Sequence, residues 1–268
     1  KKLADMRGLS YDDPAWEPLL DQLSFEDMVN MINTGGWQTI AVDSVGMVAT
    51  AACDGPSGLS NFVAGKSGTP MAPSILLAQT WSKELASEYG EKLAVEFKEL
   101  DTAGMYGPGL NTHRSAFGGR NYEYLSEDPV LAGMLVSAEV NALAEGGIVC
   151  YTKHIGLNDQ ETNRCAFLLT NASEQAAREI YLKPYEILTK QYTGVAQGMM
   201  SSFNWIGTTP SCAYSPILND IMRGEWGFRG AVITDYDGSY GAMITDNCVR
   251  NGGDLKLGFY TGGGSIGL

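Results

Sequence analysis

The sequence predicts an α/β fold, a TIM-like (β/α)8 barrel that is incomplete at its C-terminal end. Three observations predict it. Short apolar runs alternate with amphipathic helical stretches, the pattern of βα units. Four of those runs finish in polar or ionisable residues, as parallel barrel strands do at the rim where sites are built. The length, 268 residues, matches the roughly 250 residues of a single barrel.

The strand candidates come in a regular order. Val48 to Cys53 ends at Asp54, and Ile148 to Thr152 ends at Lys153-His154. Ala196 to Ser201 ends near Phe203-Asn204, and Ala231 to Thr234 ends at Asp235. On one rim these ends would gather Asp54, Lys153, His154 and Asp235 around a common mouth. A doubly wound sheet would also collect strand ends at a crevice. Between the strands, Ser24-Phe25-Glu26-Asp27 reads as a capping box that opens a helix to about Asn33. Ser82 caps a long helix whose Leu85, Tyr89, Leu93 and Phe97 recur every four residues and form one stripe. Further helices are expected from Pro129 to Glu145, from Ser173 to about Lys190, and from Ser215-Pro216 to Arg223. A last apparent strand, Asp254 to Leu257, is followed by Gly262-Gly263-Gly264 and no closing helix. With a first residue other than Met, this suggests a piece of something longer.

Composition narrows the function. Hydrophobic residues are 44% and charged residues 18% of the chain, which fits a globular protein. The net charge of −13 repels phosphate backbones and anionic lipid, so neither nucleic acid nor membrane is an expected partner. A neutral ligand such as a sugar remains compatible. No apolar run reaches the roughly 18 residues of a membrane span, and Lys1-Lys2-Leu3-Ala4-Asp5 is not a signal peptide. The five cysteines, Cys53, Cys150, Cys165, Cys212 and Cys248, are odd in number and widely spaced. They read as reduced, mostly buried thiols, in keeping with a cytoplasmic location. No glycine-rich phosphate loop follows any strand, and a metal site built from Asp54, His154 and Asp235 lacks a ligand-spacing motif, so no cofactor or metal is expected.

The chemistry-bearing residues are ambiguous one at a time. Asp235 at an apolar strand's end is either a cap for the next segment or a carboxylate kept charged by Lys153, Arg120 and Arg164, which would lower its pKa. Asp54 before Gly-Pro is either a turn residue or a bidentate acceptor for hydroxyls. Lys153 and His154 are either an exposed lysine with a loop-satisfied histidine or a pair of hydroxyl donors.

Taken together, five stretches resemble glycoside hydrolase family 3: DGPSGL (54–59), GPGLNTHRSAFGGRNYEYLSEDPVLAG (107–133), YTKHIGLNDQETNR (151–164), GMMSSFN (198–204) and RGEWGFRGAVITDYDG (223–238). They stand in order along most of the chain. The resemblance implies one catalytic barrel domain over 1–268, retaining hydrolysis of small β-linked glucosides, and no cofactor. It makes Asp235 the nucleophile. It makes Asp54, Arg120, Lys153, His154 and Arg164 hydroxyl-binding residues, with Met200 an apolar wall and Tyr236 an aromatic floor. Phe203, also expected to bind substrate, stands where many members have tyrosine, and Ser60 where arginine is frequent. The segment after Lys153-His154 lacks the pattern of the family's N-acetylglucosaminidases. A β-xylosidase or α-L-arabinofuranosidase of the same family, or a non-catalytic sugar-binding fragment, is the alternative. No motif supplies the second carboxyl that retention requires. The resemblance implies that a second α/β domain or a companion chain carries it.

Overall fold

In the computed structural model, residues 1–194, 196–236 and 243–258 are described. Asp237, Gly238 and the Gly262–Gly264 run lie outside them. The core of the fold is a curled sheet with six parallel strands in chain order: β1 (Thr50–Asp54), β2 (Thr102–Tyr106), β3 (Val149–Ile155), β4 (Gly198–Ser201), β5 (Ala231–Tyr236) and β6 (Leu255–Leu257). Helices cross between them: α1 (Phe25–Asn33) precedes β1, α2 (Lys83–Glu99) follows it, α3 (Pro129–Glu145) follows β2, and α4 (Lys183–Gln191) follows β3. A π-type helix, Pro216–Glu225, follows β4. This is an incomplete TIM-like barrel. β3 is covered on both faces, so nearly every residue in it is buried.

Partial closure falls to the segment after α1. Gln38–Thr39 pairs antiparallel with the start of β1. The preceding glycines approach β6 backbone to backbone: a Cβ on Gly36 would lie 2.2 Å from the Gly258 carbonyl oxygen. Tyr106 pins this segment, its hydroxyl accepting from the Trp37 N–H at 2.8 Å. The segment bridges the gap between β1 and β6, so the curled sheet presents one mouth at the C-terminal strand ends.

Several expected elements form for the expected reason. Ser24 and Asp27 make the reciprocal capping box. The Ser82 side chain accepts from the Leu85 N–H at 3.1 Å. Four differences stand out. β2 is a strand that no apolar run announced: Thr-Ala-Gly-Met-Tyr is short and rich in small residues, and Gly104 is needed because a Cβ there would lie 2.8 Å from the Ala52 Cβ. The stripe on α2 is buried at Leu93 and Phe97, but Leu85 is exposed. The helix expected over 173–190 is interrupted, with a π-type turn at Ala177–Tyr181 before α4. Ser215 does not cap its helix and instead accepts from the Asn219 amide at 3.0 Å. Among the described residues no helix is long and apolar enough to cross a membrane.

Candidate active site

A cleft of about 470 Å³ opens at the C-terminal ends of the parallel strands. β1 delivers Asp54, β3 delivers Lys153 and His154, β4 delivers Met200, and β5 delivers Asp235 and Tyr236. The loop after β2 adds Arg120, and the loop after β3 adds Arg164. Successive strand residues normally face opposite sides, yet Lys153 and His154 both line the cleft. A register shift between Lys153 and Ile155, where β3 pairs with β4, marks the irregularity that re-aims them.

The polar groups form one connected network. Lys153 is buried, and its Nζ lies 2.8 Å from Asp54 Oδ1 and 3.3 Å from Glu123 Oε1. Arg120 grips Glu123 through two bonds, Nε to Oε2 at 2.6 Å and Nη2 to Oε1 at 2.8 Å. Arg164 divides its donors between two carboxylates, Nε to Glu161 Oε2 at 3.0 Å and Nη1 to Asp235 Oδ2 at 3.1 Å. The other oxygen of Asp235 accepts from the Tyr236 backbone N–H at 2.7 Å. His154 Nε2 stands 3.4 Å from Asp235 Oδ2. On its far side His154 Nδ1 lies 2.9 Å from the Tyr124 hydroxyl, which accepts from the Asn158 amide at 3.1 Å. Nε2 also lies 3.3 Å from Arg120 Nη1, so this one ring nitrogen stands between a guanidinium donor and the Asp235 carboxylate.

Protonation follows from burial and neighbours. Burial drives His154 well below the usual imidazole range, and the charges of Arg120, Lys153 and Arg164 push it further, so the ring is neutral. Burial also opposes charge on Glu123, but Lys153 and Arg120 outweigh it and hold this carboxyl down at about 2. Lys153 is pulled down by burial and raised beyond it by Asp54 and Glu123.

Asp235 corrects the expectation from sequence. Its carboxyl is raised above the ordinary value, not lowered: burial outweighs the pull of Arg164, the Tyr236 N–H, Lys153 and Arg120. The reason is burial, which the sequence did not show; the cations counted as its neighbours are present but also serve other carboxylates. Lys153 answers to Asp54 and Glu123, Arg120 to Glu123, and Arg164 to Glu161 as well as Asp235.

Of the residues singled out from sequence, Asp54, Arg120, Lys153, His154, Arg164, Met200, Asp235 and Tyr236 all line this cleft. Phe203 does not. It is buried behind Arg164, whose guanidinium carbon lies 4.7 Å from its ring centre. Ser60 lines the cleft where a longer side chain was weighed against it. Sequence reasoning missed Glu123, Glu161, Trp37 and the Tyr124–Asn158 pair. A signal existed for two of them: Glu123 follows Arg120 by three residues and Glu161 precedes Arg164 by three, a spacing that brings side chains together on a turn. Trp37, from the closing segment, carried no such signal. Its ring packs edge-on against Tyr236 at 5.6 Å between centres. Among the described residues no cluster of three or more His, Cys, Asp or Glu could hold a metal ion.

Residues 23–253 match the family model for the Glycosyl hydrolase family 3 N terminal domain. The chain belongs to glycosyl hydrolase family 3. Among curated members of the family, it is 34% identical over 250 residues to Beta-glucosidase B of Emericella nidulans, covering 91% of this chain and 29% of that one. It is 36% identical over 245 residues to Beta-glucosidase A of Butyrivibrio fibrisolvens, covering 90% and 28%. The family fold is matched in solved structures. Beta-glucosidase 3B from Thermotoga neapolitana in complex with glucose gives a TM-score of 0.81 at 31% identity, over 90% of this chain and 36% of that one. Beta-glucosidase from Kluyveromyces marxianus in complex with glucose gives 0.84 at 30% identity, over 92% and 29%. This family 3 chain thus spans less than a third of the length of the curated relatives it matches.

Proposed function

We propose that this chain is the sugar-binding, nucleophile-bearing barrel of a retaining β-glucosidase that acts on terminal β-D-glucosyl residues of small glucosides. The observation that carries the reading is Asp235: a buried carboxylate at a cleft floor, with one oxygen on Arg164 and the other on a backbone N–H. The relatives named as β-glucosidases, two of them solved with glucose, support the sugar class.

In this reading an Asp235 oxygen attacks the anomeric carbon and the aglycone leaves. Water then attacks the glycosyl ester and releases the sugar with retained configuration. Asp54 accepts from sugar hydroxyls, while Lys153, Arg120 and the neutral His154 hydrogen-bond to them. These contacts count for catalysis to the extent that they strengthen as the ring flattens. Met200 and Tyr236 give the ring an apolar wall and floor. The leaving oxygen needs a proton from a second carboxyl about 5–5.5 Å from the nucleophile. We assign that group to a second α/β domain or a companion chain, outside the residues described here. The chemistry needs no cofactor.

An activated aryl glucoside with a 2-fluoro substituent tests the assignment. A good leaving group needs little protonation, so the barrel alone can react. Mass spectrometry should find the fluorosugar on Asp235, and Asp235→Ala should lose roughly 10⁴-fold in turnover of the nitrophenyl glucoside while keeping its circular dichroism. A label on another residue, or turnover that survives in Asp235→Ala, would reject the proposal.

A further inference from the structure

Outside the cleft, two sulfurs meet. Cys212 and Cys248 are 36 residues apart in sequence, yet Cys248 Sγ lies 3.1 Å from Cys212 Sγ. Both are buried, at 1% and 2% exposure. Cys212 sits in the short turn Ser211–Ala213 after β4, and Cys248 in the helix Thr245–Arg250 after β5. They share a small apolar cluster with Phe203, Ala213 and Met243, against which Cys165 and Tyr236 pack. Phe203 is the ring under Arg164, and Arg164 is the cation on Asp235. The sulfur pair therefore lies directly beneath the support of the cleft floor.

We propose that Cys212 and Cys248 form a thiol pair that peroxide converts to a disulfide, a modification site separate from the sugar cleft. Contact this close, between side chains on two different crossover connections, is the arrangement that a disulfide needs and that chance burial seldom gives. Hydrogen peroxide, neutral and little larger than water, reaches the sulfurs when the six-residue helix Thr245–Arg250 opens locally. One thiol, as thiolate, takes an oxygen from peroxide and becomes a sulfenic acid with release of water. The second thiol then displaces water from that sulfur to give the disulfide. Overall two thiols and one peroxide give one disulfide and two waters.

The bond ties the turn after β4 to the helix after β5. Ser211, beside Cys212, already holds the end of β4, its hydroxyl donating to the Ser202 carbonyl at 2.6 Å. The cross-link extends that anchorage to the element that follows Asp235, and it restricts the unfolded chain over the intervening loop. A dithiol reductant reverses it.

The test uses the whole protein, oxidised with peroxide, then blocked with a maleimide under denaturing conditions and digested without reductant. A linked peptide containing Cys212 and Cys248, lighter by two hydrogens than its reduced halves, is expected. The midpoint of thermal unfolding should rise by roughly 10 °C and fall back with dithiothreitol. Cys212→Ser and Cys248→Ser should each lose both effects, and Cys165→Ser should keep them. Full maleimide labelling of Cys212 and Cys248 after oxidation, or a linkage that uses Cys165 instead, overturns the proposal. Because the unvaried protein gives the peptide readout, the result stands even if a variant folds poorly. It is also independent of the role given to Asp235, since no turnover is measured.

Discussion

Glu139 should make this protein lose stability as pH rises through neutrality. It lies on α3, at 1% exposure, and neither carboxyl oxygen has a hydrogen-bond partner among the described residues. The cause is the close approach of α2: a Cβ on Gly90 would lie 2.4 Å from the Glu139 carbonyl oxygen, so the helices meet with no room for solvent between them. Burial pushes the carboxyl from 4.5 up to about 8. The unfolded chain therefore ionises Glu139 from about pH 4.5, while the folded chain keeps it protonated to about pH 8, and unfolding between these limits releases a proton. Stability falls as pH rises across that window and levels off above it. At about 1.4 kcal/mol per pH unit, the gap between 4.5 and 8 amounts to a ceiling of about 5 kcal/mol, of which about 3 kcal/mol is already lost at pH 7. Glu139→Gln keeps the shape and removes the titration. Urea unfolding followed at intervals from pH 5 to pH 9 should show the parent losing ground on the variant at every step up to about pH 8. Parallel curves for the two proteins would refute the reasoning.

Three further outcomes follow from the same structure. Gly36→Ala should destabilise the fold by about 2 kcal/mol or more, read in urea unfolding, because its Cβ would strike the Gly258 carbonyl at 2.2 Å, where only backbone can yield. Glu123→Gln should cost about 3 kcal/mol in stability and raise KM for the nitrophenyl glucoside, since it strips the shared partner from buried Lys153 and Arg120. Glu161→Gln should move the acid limb of kcat/KM to lower pH. It releases Arg164 to act on Asp235 alone, and a stronger cation there opposes the burial that raises this carboxyl. A limb that stays in place, or moves up, would count against that reading.

The barrel was legible because its strands end alike. β3, β4 and β5 are apolar runs that stop at Lys153-His154, Phe203-Asn204 and Asp235, and burial on both faces leaves such runs no polar alternation to blur them. β2 was illegible for the opposite reason. Its interior residues are small because Ala52 and Tyr151 crowd Gly104 from the neighbouring strands, and that pressure is tertiary. The closing segment was hidden too, since glycines at 35 and 36 look like a turn until β6 is seen against them. In the site, the strand-end residues were found because a strand's last residue must face the rim. Phe203 was misplaced because it comes after the end of β4, where the chain has already turned and the side chain faces back into the sulfur cluster.

The raised Asp235 shows why counting cations along a sequence misjudges a carboxylate. From sequence, Lys153, Arg120 and Arg164 are expected to lower the Asp235 pKa. Beside Asp54 and Asp235, the folded site also contains Glu123 and Glu161, so carboxylates outnumber these three cations. Glu123 takes two of the three cations and is itself held at about 2. Lys153 and Arg120 still pull on Asp235 from a distance, but its direct partners are Arg164, which it shares with Glu161, the Tyr236 N–H and His154. Glu123 and Glu161 thus shape the cleft as much as the cations do: they fix Arg120, Lys153 and Arg164 in place, and burial leaves the Asp235 carboxyl raised despite the cations around it.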